Sequence, residues 1–138
     1  MIILDTNVIS EPSKAQRDPR VMSWLNRQHR ESLFVTAISL AEIYTGIAVL
    51  PEGRRKEGLR LTTEEYLKWF VNPLLLFDRE AALAYAEVVV RAKTKKYTLS
   101  IPDGFIAAIA GARGFVVATR DVEPFRAAGV AVINPWEA

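Results

Sequence analysis

Four carboxylates stand at comparable places along this chain. Asp5 follows the apolar run Ile2-Ile3-Leu4, and Asp121 follows "FVVAT" by two residues. Glu42 lies one turn into a helix after the apolar stretch "SLFVTAI", and Asp103 lies in the first turn of the helix that precedes "FVVAT". In open α/β sheets ligands bind outside the carboxyl ends of the strands, and all four acids can reach that edge. Two carboxylates about 4 Å apart repel by roughly 4 kcal/mol at an effective dielectric near 20, so a convergent set calls for a cation. A hard divalent ion, Mg²⁺ or Mn²⁺, suits a histidine-free cluster of oxygens. Such an ion lowers the pKa of a bound water and neutralises charge building on a phosphoryl group. The chemistry expected is phosphodiester hydrolysis.

Each acid also has a local explanation. Asp5-Thr6-Asn7 is good turn and N-cap chemistry. Ser39-Leu40-Ala41-Glu42 and Ser100-Ile101-Pro102-Asp103 both match the capping box, in which the acid reaches back to the N-cap amide. Both explanations stay open for each residue taken singly. What favours convergence is that four independent caps have no reason to share one edge of a sheet.

Other chemistries lack their parts. The chain has no cysteine, which removes disulfides, thiolate metal sites and cysteine nucleophiles together and is compatible with a reducing interior. Its single histidine, His29, lies in the polar "NRQHRE", so no relay for a serine nucleophile can be assembled. No glycine-rich phosphate loop is present. Trp24, Trp69 and Trp136 could stack on bases, but packing in a core or between subunits is the simpler use.

The elements that must position the acids alternate between strand and helix. Short apolar runs at residues 2–4, "SLFVTAI", "LLLF", "FVVAT" and "VAVIN" predict five strands. Between them, helices start at Asp18-Pro19, run through "SLAEIYTGIAVL", span Arg54 to Phe70, extend from Arg79 to about Lys95, and fill "IPDGFIAAIAGARG" up to Gly114; "VEPFRAAG" adds a short one. This alternation predicts an α/β domain with a mainly parallel sheet. At 138 residues, half of them hydrophobic, a single domain over residues 1–138 is expected. No apolar run has the roughly 18 residues of a membrane helix, and a strand beginning at Ile2 leaves no room for a signal peptide, so a cytoplasmic protein is expected. The net charge of +2 is weak evidence for a polyanionic partner. Metal masking of the four acids would leave a distinctly basic chain, with cations grouped in "GRRKEGLR" and "RAKTKKY", although solvated helix faces explain those runs equally well.

The ordered set "LDTNVISEP", "TAISLAEIYTGI", "IPDGFIAAIA", "VVATRDVEPF" and "VINPW" resembles the PIN-domain ribonucleases, and among them the VapC-type toxins of toxin–antitoxin pairs in the FitB-like group. The resemblance runs from Met1 to Trp136. It implies an α/β/α sandwich around a five-stranded, mainly parallel sheet in the order 3-2-1-4-5, with Asp5 and the Asp121 loop beside the switch point. Position by position, it implies that Asp5, Glu42, Asp103 and Asp121 are catalytic and metal-holding acids. Asn7 and Thr119 match polar positions that orient water or the neighbouring carboxylate. It further implies Mg²⁺ or Mn²⁺ as cofactor, RNA as substrate, a homodimer, and a VapB-like antitoxin that binds DNA with one part and blocks the active site with another. Two rivals differ in class. A phosphatase of the haloacid-dehalogenase kind would use Asp5 as nucleophile but needs a second Asp where this chain has Asn7. A binding module would keep the fold and act only through its partner.

Overall fold

The computed structural model describes Met1–Ala138. In chain order it comprises β1 (Ile2–Leu4), α1 (Thr6–Ser10), α2 (Pro19–Arg27), β2 (Leu33–Phe34), α3 (Ala37–Ala48), α4 (Arg54–Leu67), α5 (Arg79–Thr94), α6 (Ile101–Arg113), β3 (Val116–Ala118), α7 (Val122–Ala127) and β4 (Val132–Ile133). The sheet order is β2-β1-β3-β4, and every pair is parallel. Chain direction reverses its lateral course between β1 and β3, which makes their carboxyl ends the switch point. No helix is long and apolar enough to cross a membrane.

Unbroken apolar strands follow from a sheet covered on both faces. Successive residues of β1 feed opposite cores: Ile3 packs with Ile106, Val117 and Phe125, whereas Leu4 packs with Val8, Trp24, Ala118 and Trp136. The first core lies under α5, α6 and α7, and the second under α1 and α2. α6 supplies the first with the run Ile106 to Ala110 and stops at Gly114, whose left-handed φ of 68° lets Phe115 N donate to Ala110 O at 3.0 Å.

The expected five-stranded sheet in the order 3-2-1-4-5 is not formed; there are four strands. The segment "LLLF" lies beside β2, where the third strand was expected, but makes only one bridge, Thr36 to Leu75. Its two hydrogen bonds run from Leu75 N to Val35 O at 2.9 Å and from Ala37 N to Leu75 O at 2.8 Å. The ladder cannot extend because Thr36 caps α3, so the β2 chain turns into a helix at once. On the other side Asn72 Nδ2 donates to Leu33 O at 2.7 Å, taking an edge acceptor that a longer strand would use. Pro73 adds no N–H to pair. Only Leu75 of this segment is fully buried, with Leu74 and Leu76 left exposed.

Candidate active site

Strand register makes Asp5 and Thr119 neighbours. β1 and β3 pair from Ile2–Val116 to Leu4–Ala118, and the ladder continues one step, with Asp5 N donating to Ala118 O and Thr119 N to Ile133 O, both at 2.9 Å. The Thr119 hydroxyl donates to Asp5 Oδ2 at 2.8 Å and accepts from Asp121 N at 3.0 Å and Asn7 Nδ2 at 3.4 Å. One proton and two lone pairs are all a threonine hydroxyl has, so this one is saturated and its orientation set. Asn7 Nδ2 also donates to Asp5 Oδ2 at 3.2 Å, while Asn7 Oδ1 accepts from Arg120 N at 3.3 Å. Asn7 thereby joins the start of α1 to the loop leaving β3. Asp5 does act as a cap, since its Oδ1 accepts from Thr6 N at 2.8 Å.

The other two acids arrive on helices. Asp103 sits in the first turn of α6, where Ser100 is the N-cap and accepts from Asp103 N at 3.3 Å. Glu42 does not sit in a capping box: α3 begins earlier than the motif implies, with Thr36 as N-cap accepting from Ser39 N at 3.1 Å. This places Glu42 in the second turn, where its Oε1 accepts from the Thr6 hydroxyl at 2.8 Å. Thr6 is a contact that sequence reasoning missed; its one signal was a hydroxyl directly after Asp5. Depth varies across the group, from buried Asp5, 6% exposed, through half-buried Asp103 to exposed Glu42 and Asp121 at the rim.

The acids are electrostatically strained. Burial pushes the Asp5 carboxyl above the ordinary range, and the nearby charges of Asp103 and Glu42 push it further, against the hydrogen bonds from Thr119 and Thr6. Burial also raises Asp103, opposed by Ser100 and reinforced by Asp121. Tyr97, at the α5–α6 corner, is raised by burial and by the charges of Asp121, Asp103 and Glu123. No lysine or arginine forms an ion pair with any of the four acids.

An all-oxygen donor set with mutual repulsion and no internal counter-charge fits a hard divalent cation. No three acidic groups close on one point as a finished cage. A cavity of about 290 Å³ opens from this edge, lined by Thr6, Lys14, Glu42 and Gly46 and floored by Ile43 and Tyr66. A larger cavity, about 840 Å³, lies between α2 and α4, lined by Met22, Leu25, Leu61 and Trp69, and contains none of the four acids.

The PIN domain family model matches residues 2–130. The chain is 46% identical to the VapC ribonuclease Y4jK of Sinorhizobium fredii, covering 99% of each protein. It is 43% identical to the toxin FitB of Neisseria gonorrhoeae, again covering 99% of each. Among solved structures it is similar to FitAB bound to the IR36 DNA fragment, with a TM-score of 0.93 and 43% identity over 99% of this chain and 96% of that one. The protein therefore belongs to the PIN-domain family and is closely related to its VapC- and FitB-type toxins.

Proposed function

We propose that this VapC-family ribonuclease, the toxin of a type II toxin–antitoxin pair, cleaves RNA at the edge where Asp5, Glu42, Asp103 and Asp121 meet. The family implies divalent-metal dependence; the finer reading is that Asp5, Asp103 and Asp121 hold Mg²⁺ or Mn²⁺, with Glu42 completing the set directly or through water. When bound, the ion supplies an activated water and neutralises the phosphoryl oxygens. The chain's own part is to fix Asp5 through Thr119, Asn7 and the Thr6 amide, so that the deepest carboxylate presents its remaining lone pairs to the cleft. Thr6 aims Glu42 toward the same place, and the positive end of the α6 dipole points there too. The observation that carries the reading is that a buried carboxylate, Asp5, and a half-buried one, Asp103, lie within the field of one another and of Glu42 and Asp121, while no lysine or arginine of the chain forms an ion pair with any of the four.

Asp5→Asn is the test. RNA cleavage in Mn²⁺ should fall by more than about 100-fold, since even partners behind a metal ligand cost about 10- to 100-fold. Melting supplies a second readout. Because Asp5 is raised above the ordinary value of 3.8, the folded state binds its proton more tightly than the unfolded chain. The penalty of the charged form is complete above the raised pKa and is relieved as pH falls through it. In EDTA at neutral pH the variant should melt no lower than wild type, and its relative standing should decline as pH falls toward the carboxylate range. Mn²⁺ should stabilise wild type and not the variant. Cleavage at the wild-type rate would overturn the metal-site reading, and a phosphate trapped on Asp5 would favour the phosphatase alternative.

Inhibition follows the same electrostatics. The similarity to FitAB on DNA supports a cognate, VapB-like antitoxin that binds DNA and blocks the cleft. An arginine or lysine of that partner, placed near Asp5 and Asp103, would satisfy the charges that metal otherwise satisfies. A homodimer agrees with the apolar residues Leu83 and Val90, one heptad apart on α5 and 66% and 63% exposed. A cytoplasmic site of action completes the reading.

A further inference from the structure

Arg120 lies between Thr119 and Asp121 on the loop that leaves β3 at the acid edge. Its amide is held by Asn7 Oδ1, so the loop backbone belongs to the network that fixes Asp5. Its side chain is exposed, yet it pairs with none of the carboxylates around it. The guanidinium carbon instead stands 5.4 Å from the centre of the Trp136 ring. Trp136 is buried among Leu4, Val8 and Ala118, and its amide donates to Asn134 Oδ1 at 3.0 Å. The indole is thus a fixed plate that holds the guanidinium of this loop residue out of any ion pair with the acids. The guanidinium donors make no hydrogen bond to the rest of the chain.

We infer that Arg120, braced on Trp136, grips a phosphate next to the scissile one and sets the register of single-stranded RNA across the acid edge. This deepens the ribonuclease reading and rests on it. A carboxylate-lined cleft repels a polyanion, so productive binding needs a positive group at the same edge that stays free of the acids. A guanidinium supplies it in a planar fork that matches two phosphate oxygens. Stacking on the indole orders the side chain before RNA arrives, which lowers the entropy lost on binding.

Arg120→Met separates this role from simple cover of the indole, because it keeps an apolar chain over the ring and removes the charge. In Mn²⁺ the variant should show a KM for a short RNA raised about tenfold with kcat little changed, as expected for one charged hydrogen-bonding contact. Affinity for the same fluorescently labelled RNA, measured by anisotropy in EDTA, should fall, and its log–log salt dependence should flatten by about 0.7, the share of one phosphate on a single strand. Arg120→Lys should restore the salt slope but not the full affinity. Wild-type affinity and slope in Arg120→Met would overturn the inference and leave Arg120 as cover for Trp136. Failure of the wild-type protein to cleave RNA in Mn²⁺ would count against the parent reading instead, since the anisotropy judges Arg120 without cleavage.

Discussion

The starts of α3 and α6 carry the same four-residue pattern, Ser39 to Glu42 and Ser100 to Asp103, and fold differently. In α6 the serine is the N-cap and the acid stays in the first turn. In α3 the helix starts three residues earlier at Thr36, Ser39 is drawn into the core with its hydroxyl unpartnered, and Glu42 leaves the cap to meet Thr6. The cause is the bridge from Leu75, whose carbonyl takes the Ala37 amide and pins the turn from β2 into α3. Both acids still arrive at the same edge of the sheet. A capping motif thus says where a helix could begin, and the strand before it decides where it does.

Three pairs of substitutions sharpen the contrast. The largest effect is expected on catalysis. Asp103→Asn removes a half-buried acid coupled to both Asp5 and Asp121 and should reduce RNA cleavage about 100-fold or more, whereas Glu42→Gln, at the exposed rim, should cost about 10-fold. Equal losses measured under identical Mn²⁺ concentrations would erase the distinction between the two helix starts.

Packing gives the next effect. Beside Asp103, a Cβ on Gly104 would meet the Tyr85 ring at 2.9 Å, and that ring is wedged against Phe77 and Phe105. Gly104→Ala should destabilise the fold by about 1–3 kcal/mol in urea titration, as overpacking does, and weaken metal-induced stabilisation by shifting the first turn of α6. Gly46→Ala in α3, where a Cβ meets nothing within 4 Å, should be neutral or slightly stabilising.

The smallest effect separates the serines. Ser100→Ala should lower stability by about 1 kcal/mol through loss of a working cap. Ser39→Ala should leave stability unchanged or raise it, because it deletes a buried hydroxyl that has no partner. Equal destabilisation by both changes would mean that Ser39 contributes to the helix start after all.

Much of the architecture was legible because local chemistry and tertiary structure agree. Asp18-Pro19 does open α2, Asp78 caps α5 by accepting from Ala81 N at 2.9 Å, and Gly114 ends α6. The third of the five expected strands was misread because Leu74–Phe77 has strand composition, and whether such a run forms a ladder depends on its partner. Here the neighbouring chain had already become helix. Thr6, Tyr97 and Arg120 escaped notice at the site for a related reason: a hydroxyl after Asp5, a tyrosine at a helix end and an arginine between Thr119 and Asp121 acquire meaning only from what lies opposite.

By itself the sequence determined the periodicities, the caps at Asp18, Asp78 and Ser100, the absence of cysteine and an acid at or near the start of each of four helices, because these depend on covalent neighbours and on residue type. Only the tertiary structure decided that Asp5 and Thr119 stand side by side, that Glu42 answers Thr6 rather than Ser39, and that Arg120 turns to Trp136 rather than to the acids. The first of these outcomes hangs on parallel strand register, which brings together residues more than a hundred positions apart. No local pattern encodes it; burial of both sheet faces selects it, since a slip of one residue would exchange Ile3 and Leu4 between the two cores.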